Sequence, residues 1–395
     1  MSSDADRVRE LAEKLIAEHD PKTAAAREFL GARFDAGLAW VHFPDGHGGL
    51  GLARSVQPVA DSVVDAAGGP SAFAANPIGI GMAGPTVVSF GSEEQKTRYL
   101  RKLYSGEEVW CQLFSEPGAG SDVAGLATRA VRDGDDWVID GQKVWTSLAH
   151  VSSFGLLLAR TDPSVPKHRG LSYFVLDMHA PGVEVRPLRQ MTGDAEFNEV
   201  YLTGVRIPDS ERLGEVGQGW TVAITTLMNE RTALGGVVGP RGAGPIGDAV
   251  ALWHAHPERQ TPVARDRLTR LWSEAEAHRL TVKRAQAGAD RGTPGPEGSV
   301  GKLISANLNK RIYEFCIDFL GPEGALYGSY QVRQPGPGQR SAQGEIQRRF
   351  LRSLANSIEG GTSEIMRNIL GERVLGLPGE PRSDKDVPWR EIPRS

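Results

Sequence analysis

The chain has 395 residues, 39% of them hydrophobic and 24% charged, which is typical of a globular protein long enough for two or three domains. The net charge of −4 gives no reason to expect a nucleic acid or an anionic membrane as partner. No apolar run approaches the roughly 18 residues that span a bilayer, and the charged N-terminal stretch does not resemble a signal peptide. Cys111 and Cys316 lie in apolar runs, so we expect buried thiols in a reducing compartment, the cytoplasm.

Residues 1–108 have a helical pattern. Val8, Leu11 and Leu15 recur at helical spacing, and Ser92 followed by Gln95 predicts a capping box at the start of a helix. The segment Gly79–Gly84 matches a dinucleotide-binding fingerprint, but no strand precedes it, so we do not assign it that role. We expect an N-terminal helical domain.

Residues 109–215 change to short apolar runs separated by turn residues. Asp140-Gly141 lies between Trp137–Ile139 and Val144-Trp145, a pattern that predicts a two-residue hairpin. Further runs of this kind are 154–159, 171–178, 183–185 and 200–207. Their spacing predicts a small β-sandwich or barrel.

Residues 216–395 are helical again. One apolar face extends from Leu303 to Leu320 and ends at Gly321, and a second helix is expected from Ser363 to Leu375. The order of helices, strands and helices predicts an α+β chain with three domains, 1–108, 109–215 and 216–395. We expect no metal site, since the histidine pair at 254 and 256 has no further ligands around it.

The turn after the first strand is the most informative segment, Phe114–Asp122. Pro117 ends the strand, and Gly118 and Gly120 permit a positive φ and a close approach of backbone to a ligand. Ser115 and Ser121 place hydroxyl groups at either mouth of the turn. Such a turn can donate hydrogen bonds to a flat or anionic ligand, although an ordinary glycine-rich turn has the same composition.

Three further constellations could carry chemistry. The segment Trp145-Thr146-Ser147 places an indole beside hydroxyl groups, which suits the binding of a flat aromatic cofactor. Alternatively, Trp145 is an ordinary core residue. Gly360–Glu364 offers Thr362 as a helix N-cap and a possible anion site, or merely a well-capped helix. Glu230-Arg231 follows an apolar run, so its carboxylate is either a half-buried base or part of a solvated face.

Together these segments resemble the acyl-CoA dehydrogenase family of flavoproteins over nearly the whole chain. The resemblance is carried by Phe114–Asp122, by Asp140–Ser147, and by Ser357–Ile365 continuing to Glu372–Pro378. It implies an N-terminal helical domain, a central β domain and a C-terminal four-helix bundle. It also implies FAD as cofactor, an acyl-CoA substrate, an electron-accepting flavoprotein as partner, and a homodimer or homotetramer.

The resemblance also implies roles for individual residues. Trp145 would pack against the isoalloxazine of FAD, Ser147 would hydrogen-bond near its N5 atom, and Arg231 would face the substrate channel. Ser121 would contact the pantetheine or acyl arm as well as the cofactor. The remaining residues assigned to FAD are Phe114, Ser115, Gly120 and Thr146 at the ring, and Thr362 and Glu364 at the phosphates.

The position of the catalytic base is the sharpest of these implications. Many family members carry a glutamate directly before the Gly-Thr of the C-terminal loop, but here that residue is Gly360, and Glu359 is one position away. A subset of the family places the base before an arginine on an earlier helix, which matches Glu230. The expected reaction transfers the α-proton of an acyl-CoA to Glu230 and the β-hydride to flavin N5, which yields the trans-2-enoyl-CoA.

Two departures from the family pattern leave other functions open. No Arg-x-x-Phe-Gly arm occurs between Gly247 and Trp272, and Asp318 replaces the glutamine of a Gln-x-x-Gly-Gly stretch. A carboxylate near a pyrophosphate is unfavourable, so the FAD site could require a related partner chain. The alternatives are therefore a non-catalytic or half-site subunit of a hetero-oligomer, and a flavin oxidase on the same scaffold.

Overall fold

A computed structural model describes residues 3–235, 238–290, 297–339, 345–381 and 384–393, with the side chains of residues 230–235, 289, 290 and 297 excluded. Helices come first along the chain. They are α1 (Asp4–Glu18), α2 (Ala26–Asp35), α3 (Gln57–Ala66), α4 (Ala72–Ala75), α5 (Gly84–Phe90) and α6 (Glu93–Ser105). The capping box predicted for α6 is confirmed, because Ser92 Oγ accepts from the Gln95 N–H and Gln95 Oε1 accepts from the Ser92 N–H. Residues Gly79–Ala83 form one turn of π-helix that runs into α5.

The strands form one seven-stranded sheet. They are β1 (Trp110–Leu113), β2 (Arg129–Asp133), β3 (Asp136–Ser147), β4 (Phe154–Arg160), β5 (Leu171–Asp177), β6 (Val183–Leu188) and β7 (Phe197–Pro208). Their spatial order is β1-β4-β2-β3-β7-β6, and β5 pairs with β4 off this path. The pairs β1–β4 and β2–β4 are parallel, and the remaining pairs are antiparallel.

The hairpin expected at Asp140-Gly141 is wrong, since β3 continues through both residues and the real turn precedes it at Gly134, where φ is +64°. The Asp140 carboxylate accepts a hydrogen bond from the Gly204 N–H across the sheet at 2.9 Å. A Cβ on Gly141 would lie 2.3 Å from Oγ1 of Thr128. The dipeptide therefore serves a bulge and a close approach inside a long strand rather than a chain reversal.

The C-terminal region is helical, with α10 at its centre and packed against α8, α9, α11 and α12. The helices are α7 (Gly219–Gly235), α8 (Pro245–Ala255), α9 (Pro262–Asp290), α10 (Glu297–Leu320), α11 (Ile346–Ser353) and α12 (Ser363–Arg373). Gly321 ends α10 with a φ of +60°, as the sequence predicts. Helix α12 ends at Arg373, two residues before the expected Leu375.

One hydrophobic core joins the three regions of the fold. It contains side chains from α2 and α6, from β1 and β5, and from the first turns of α7. A row of buried hydroxyls crosses the same junction, because Thr226 Oγ1 on α7 lies 2.9 Å from Thr86 Oγ1 on α5 and 3.0 Å from Tyr173 Oη on β5. The expected α+β fold class, with N-terminal helices, a central sheet domain and C-terminal helices, is confirmed. Among the described residues, no helix combines the length and apolarity that crossing a membrane requires.

The last described segment, 384–393, lies against the central sheet domain. The Trp389 ring packs 4.2 Å beneath the Arg160 guanidinium, and its Nε1 donates to the Gly125 carbonyl at 3.1 Å. Lys167 Nζ lies 2.5 Å from Asp384 and 2.7 Å from Asp122. The segment thereby fixes the loop that follows Ser121.

Candidate active site

A buried ion pair shapes the turn that follows β1. The Glu116 carboxylate accepts hydrogen bonds from the backbone N–H groups of Ala127 and Thr128 at 2.6 and 2.9 Å, and from Lys143 Nζ at 2.8 Å. Lys143 is fully buried and also donates to the Phe114 carbonyl at 3.0 Å. Burial alone would raise the pKa of Glu116, but Lys143 and the two N–H donors outweigh it and hold this pKa below its ordinary value. The turn is thus tied to β3.

The turn itself leaves room for a ligand. The Ser115 carbonyl accepts from the Val144 N–H at 2.9 Å, so the first motif lies beside the end of β3. Gly118 and Gly120 permit a positive φ, but neither adopts one. A Cβ on either glycine would nevertheless meet open space, and Ser121 is exposed. The glycines keep the surface of the turn low, which allows a flat group to approach the backbone.

The end of β3 presents an exposed indole. Trp145 sits in a bulge between β3 and β7 with a φ of +60°, a conformation that L-residues seldom adopt, and 58% of the residue is exposed. Its ring packs edge-on against Phe197 at 5.8 Å. Backbone strain of this kind persists where the surroundings impose it and is concentrated at functional sites. The bulge keeps a large aromatic face available for stacking.

The two residues after Trp145 differ in accessibility. Thr146 is fully buried, and its carbonyl accepts from Asn198 Nδ2 at 3.1 Å. Ser147 is only half-buried. A ligand stacked on the indole could therefore reach Ser147 through its hydroxyl, but Thr146 only through its backbone. The exposed indole, the half-buried hydroxyl and the open glycine turn together fit a flat heteroaromatic cofactor.

The C-terminal turn forms as the sequence predicts. Gly360 and Gly361 have φ values of +60° and +92°, and Thr362 Oγ1 caps α12 by accepting from the Ile365 N–H at 3.1 Å. Glu364 is exposed and pairs with Arg367 at 3.1 Å rather than with any element of the site. The start of α12 is therefore a regular helix N-terminus behind a left-handed turn, a geometry that favours anions.

Glu359, the carboxylate nearest to that turn, is held in a bidentate pair. Arg352 Nη1 and Nη2 lie 3.1 and 2.7 Å from its two carboxylate oxygens, and Arg352 Nε lies 3.3 Å from Glu196. Burial would raise the pKa of Glu359, but Arg352 outweighs it and keeps this pKa below its ordinary value. The guanidinium also lies over the Phe197 ring at 5.8 Å, and that ring supports Trp145. Arg352 thus connects the C-terminal turn to Phe197 and, through it, to Trp145, and no sequence motif predicted this link.

A cavity of about 160 Å³ lies between the N-terminal helices and α7. Its polar lining residues are His42, Arg54 and Asn229, and its other walls are Trp40, Phe73, Ile80, Gly81 and Pro85. Burial, with a smaller contribution from Arg54, lowers the pKa of His42 to about 4, so the ring is neutral at pH 7. Among the described residues, nothing hydrogen-bonds to its buried Nδ1.

Helix α7 contributes Asn229 to the wall of this cavity, and Asn229 directly precedes the predicted base, Glu230. Thr226, one turn earlier, is fixed by its hydroxyl contacts to α5 and β5. The side chains of Glu230 and Arg231 lie outside the described residues, so their roles stay predictions.

Asp318, the departure that suggested an incomplete cofactor site, lies near the end of α10. Its carboxylate pairs with Arg267 of α9 at 2.9 Å. Both side chains are about half exposed, at 52% and 48%. The pair is exposed and therefore weak, and the position presents a carboxylate where the family pattern has the amide of a glutamine.

Comparison with known proteins gives the same assignment along the chain. Family models match at residues 5–107 (acyl-CoA dehydrogenase, N-terminal domain), 111–205 (middle domain) and 217–375 (C-terminal domain). Acyl-CoA dehydrogenase IpdE1 of Mycobacterium tuberculosis is 39% identical over 88% of this chain and 86% of its own length. A solved structure described as the Tcur3481-Tcur3483 steroid ACAD has a TM-score of 0.73 and 30% identity, covering 96% of this chain and 94% of that chain. The ChsE4-ChsE5 complex of M. tuberculosis has a TM-score of 0.69 and 26% identity, covering 96% and 99%.

The chain therefore belongs to the acyl-CoA dehydrogenase family, flavoprotein oxidoreductases of lipid metabolism. It is an acyl-CoA dehydrogenase, and its cofactor is FAD.

Proposed function

We propose that this protein converts an acyl-CoA thioester to the trans-2-enoyl-CoA with Glu230 as the base. The observation that carries the proposal is the contrast between two glutamates. Glu359, beside the C-terminal turn, is held by Arg352, and Gly360 has no side chain. Glu230 follows Asn229, which lines the cavity.

The physical requirements of the reaction agree with this position. The α-proton of a thioester is weakly acidic, so the base needs a site with little water, in which burial raises the pKa of a carboxylate. Thr226 fixes α7 one turn before Glu230 inside the core that joins the three regions. A carboxylate oxygen of Glu230 accepts the α-proton, and Ser121 and Arg231 contact the substrate.

FAD, when bound, supplies the acceptor for the β-hydride at its N5 atom. The described residues fit this cofactor, since Trp145 offers an exposed indole and the Gly118–Gly120 turn leaves open space beside it. We assign Phe114, Ser115, Gly120, Ser121, Trp145, Thr146 and Ser147 to the ring side and Thr362 and Glu364 to the phosphate side.

A half-site subunit of a hetero-oligomer is the second candidate function. Asp318 favours this function. The residue is a carboxylate paired with Arg267, whereas the family pattern has a glutamine at this position. The ChsE4-ChsE5 structure, which shares this fold, is itself a complex of two different chains. In this case a related chain completes the FAD site, and a homodimer or homotetramer is the alternative assembly.

An electron-accepting flavoprotein remains the proposed redox partner. The two free thiols favour the cytoplasm as the compartment.

Anaerobic titration of the FAD-loaded protein with acyl-CoAs tests the proposal. Acyl-CoA should bleach the flavin absorbance, and Glu230→Gln should slow bleaching by about 10²–10⁴-fold while FAD stays bound. Glu13→Gln, on the exposed face of α1, is the matched control. Bleaching at the normal rate in Glu230→Gln would remove that residue from the role. A colourless chain that takes up flavin only with a partner would favour the half-site subunit, and oxygen consumption without another acceptor would indicate an oxidase.

A further inference from the structure

We propose that the acyl group carries an oxygen substituent, which His42, Arg54 and Asn229 recognise in the cavity beside α7. The inference rests on the proposed function, because it concerns the acyl group of the same substrate. It concerns selectivity and not the chemical step.

The lining of the cavity is mixed in character. Aromatic and aliphatic residues form most of it, as expected for an acyl chain. The same lining includes an imidazole, a guanidinium and a carboxamide. A purely hydrocarbon group would displace water from these polar groups without replacing its hydrogen bonds, which is unfavourable. An oxygen on the acyl group can replace them.

His42 provides the most specific signal. Its Nδ1 is buried, and no described residue hydrogen-bonds to it. Buried polar side-chain atoms are mostly hydrogen-bonded in folded proteins, so an imidazole that lines the cavity and has an unpartnered nitrogen is a candidate to bind a polar group. A neutral imidazole has one donor and one acceptor nitrogen, so it can bind a hydroxyl, a carbonyl or a carboxylate.

Arg54 adds a positive charge that the described part of the chain does not neutralise. Two other arginines of the N-terminal helices, Arg33 and Arg101, pair with Asp61 and Asp35. Arg54 has no such carboxylate among the described residues, and it lies close enough to His42 to lower the pKa of that ring. Since a guanidinium binds a carboxylate more strongly than a neutral oxygen, we expect the order carboxylate, then hydroxyl, then hydrocarbon.

The test compares acyl-CoAs of equal shape on the FAD-loaded protein. Adipoyl-CoA is matched by 6-methylheptanoyl-CoA, and 6-hydroxyhexanoyl-CoA by heptanoyl-CoA, with the same pairs made at shorter and longer chain lengths. We expect the oxygenated member to reduce the flavin with a second-order rate constant at least about tenfold higher at the preferred length. Redox-inert 3-thia analogues should show the same ratio in dissociation constants measured by calorimetry. The carboxylate and hydroxyl arms separate an anionic group from a neutral one.

Variants assign the preference to the cavity. Arg54→Gln, at an exposed position that should fold normally, should reduce the carboxylate preference to within about threefold of unity, and His42→Asn should reduce the hydroxyl preference. Arg27→Gln, an exposed arginine on α2, is the matched control and should keep both ratios. Hydrocarbon acyl-CoAs that react as well as their partners at every length would overturn the inference but leave the dehydrogenase assignment intact. Flavin that no acyl-CoA reduces would instead refute the proposed function.

Discussion

Arg352 and Glu359 form a two-pronged ion pair, with N–O distances of 3.1 and 2.7 Å, directly before the left-handed Gly360-Gly361 turn. The pair has a functional consequence, because it makes the acidic side chain directly before that turn a structural group. The same arginine touches Glu196 and Phe197, so it couples the turn to the wall formed by Trp145.

Loss of this arginine should weaken FAD binding. Arg352→Gln leaves Glu359 without its cation. We expect the unfolding free energy to fall by about 1–3 kcal/mol, less than for a fully buried pair, because the Glu359 side chain is 37% exposed. Flavin fluorescence should show a higher dissociation constant for FAD, and Arg352→Lys should restore part of the affinity. A dissociation constant unchanged in Arg352→Gln would contradict the coupling.

The left-handed backbone of Trp145 predicts an unusual order of stability. Glycine normally weakens a strand relative to alanine, but at a φ of +60° the order should reverse, with Trp145→Gly more stable than Trp145→Ala by about 1 kcal/mol. Urea unfolding of the apoprotein measures the difference. Both variants lose the indole, so their difference reports the effect of backbone conformation. An alanine variant that is as stable as the glycine variant, or more stable, would contradict backbone strain at this position.

The buried pair of Lys143 and Glu116 should dominate the stability of the turn after β1. Lys143→Met removes the cation and should cost about 3–5 kcal/mol, whereas adding Glu116→Gln should recover part of this loss. The folded pKa of Glu116 is below its unfolded value, so its contribution is complete above the unfolded pKa and disappears as the pH falls through the folded pKa. Unfolding measured between pH 3 and pH 7 should therefore show a shallower pH dependence in the double variant.

His42 should make the protein less stable in acid. Its folded pKa of about 4 lies below the ordinary value of 6.5, so the unfolded chain binds more protons between these two values. The unfolding free energy should consequently fall as the pH drops from 6.5 to 4. His42→Asn should lack this component, as urea titrations across that range would reveal. Identical slopes in both proteins would show that His42 is not held neutral.

The segment around Trp389 should affect substrate binding more than flavin content. Trp389→Ala removes the contact with Arg160 and the hydrogen bond to Gly125, so the loop after Ser121 loses its support. We expect a several-fold higher KM for acyl-CoA with an unchanged ratio of flavin to protein. Trp389→Phe keeps the ring stacked under Arg160 and should have the smaller effect. Equal KM values in the unmodified protein and both variants would show that this segment does not influence substrate binding.

Local sequence signals predicted the elements that local interactions determine. The capping box at Ser92, the cap at Thr362 and the stop at Gly321 each depend on residues within one helical turn, and all three formed as expected. Asp140-Gly141 misled because its residues serve partners that are distant in sequence, Gly204 and Thr128. A turn and a bulge require the same residue types, and periodicity alone does not separate them.

The parts of the site that sequence reasoning missed are all non-local. Glu116 and Lys143 belong to the two quoted motifs, yet their pairing over 27 positions has no period to reveal it. The cavity joins Trp40 of the N-terminal region to Asn229 on α7, which are distant in the sequence. One signal was available. A charged residue in an apolar strand, such as Lys143, needs a buried partner, and the other motif offers two acidic residues, Glu116 and Asp122.

The hydroxyl row of Thr86, Thr226 and Tyr173 takes one member from each region of the chain. If the chain were cut between these regions, each fragment would lose a hydroxyl hydrogen bond and would expose apolar core surface to water. The contacts thus couple the three family segments, and we expect them to unfold together in one calorimetric transition.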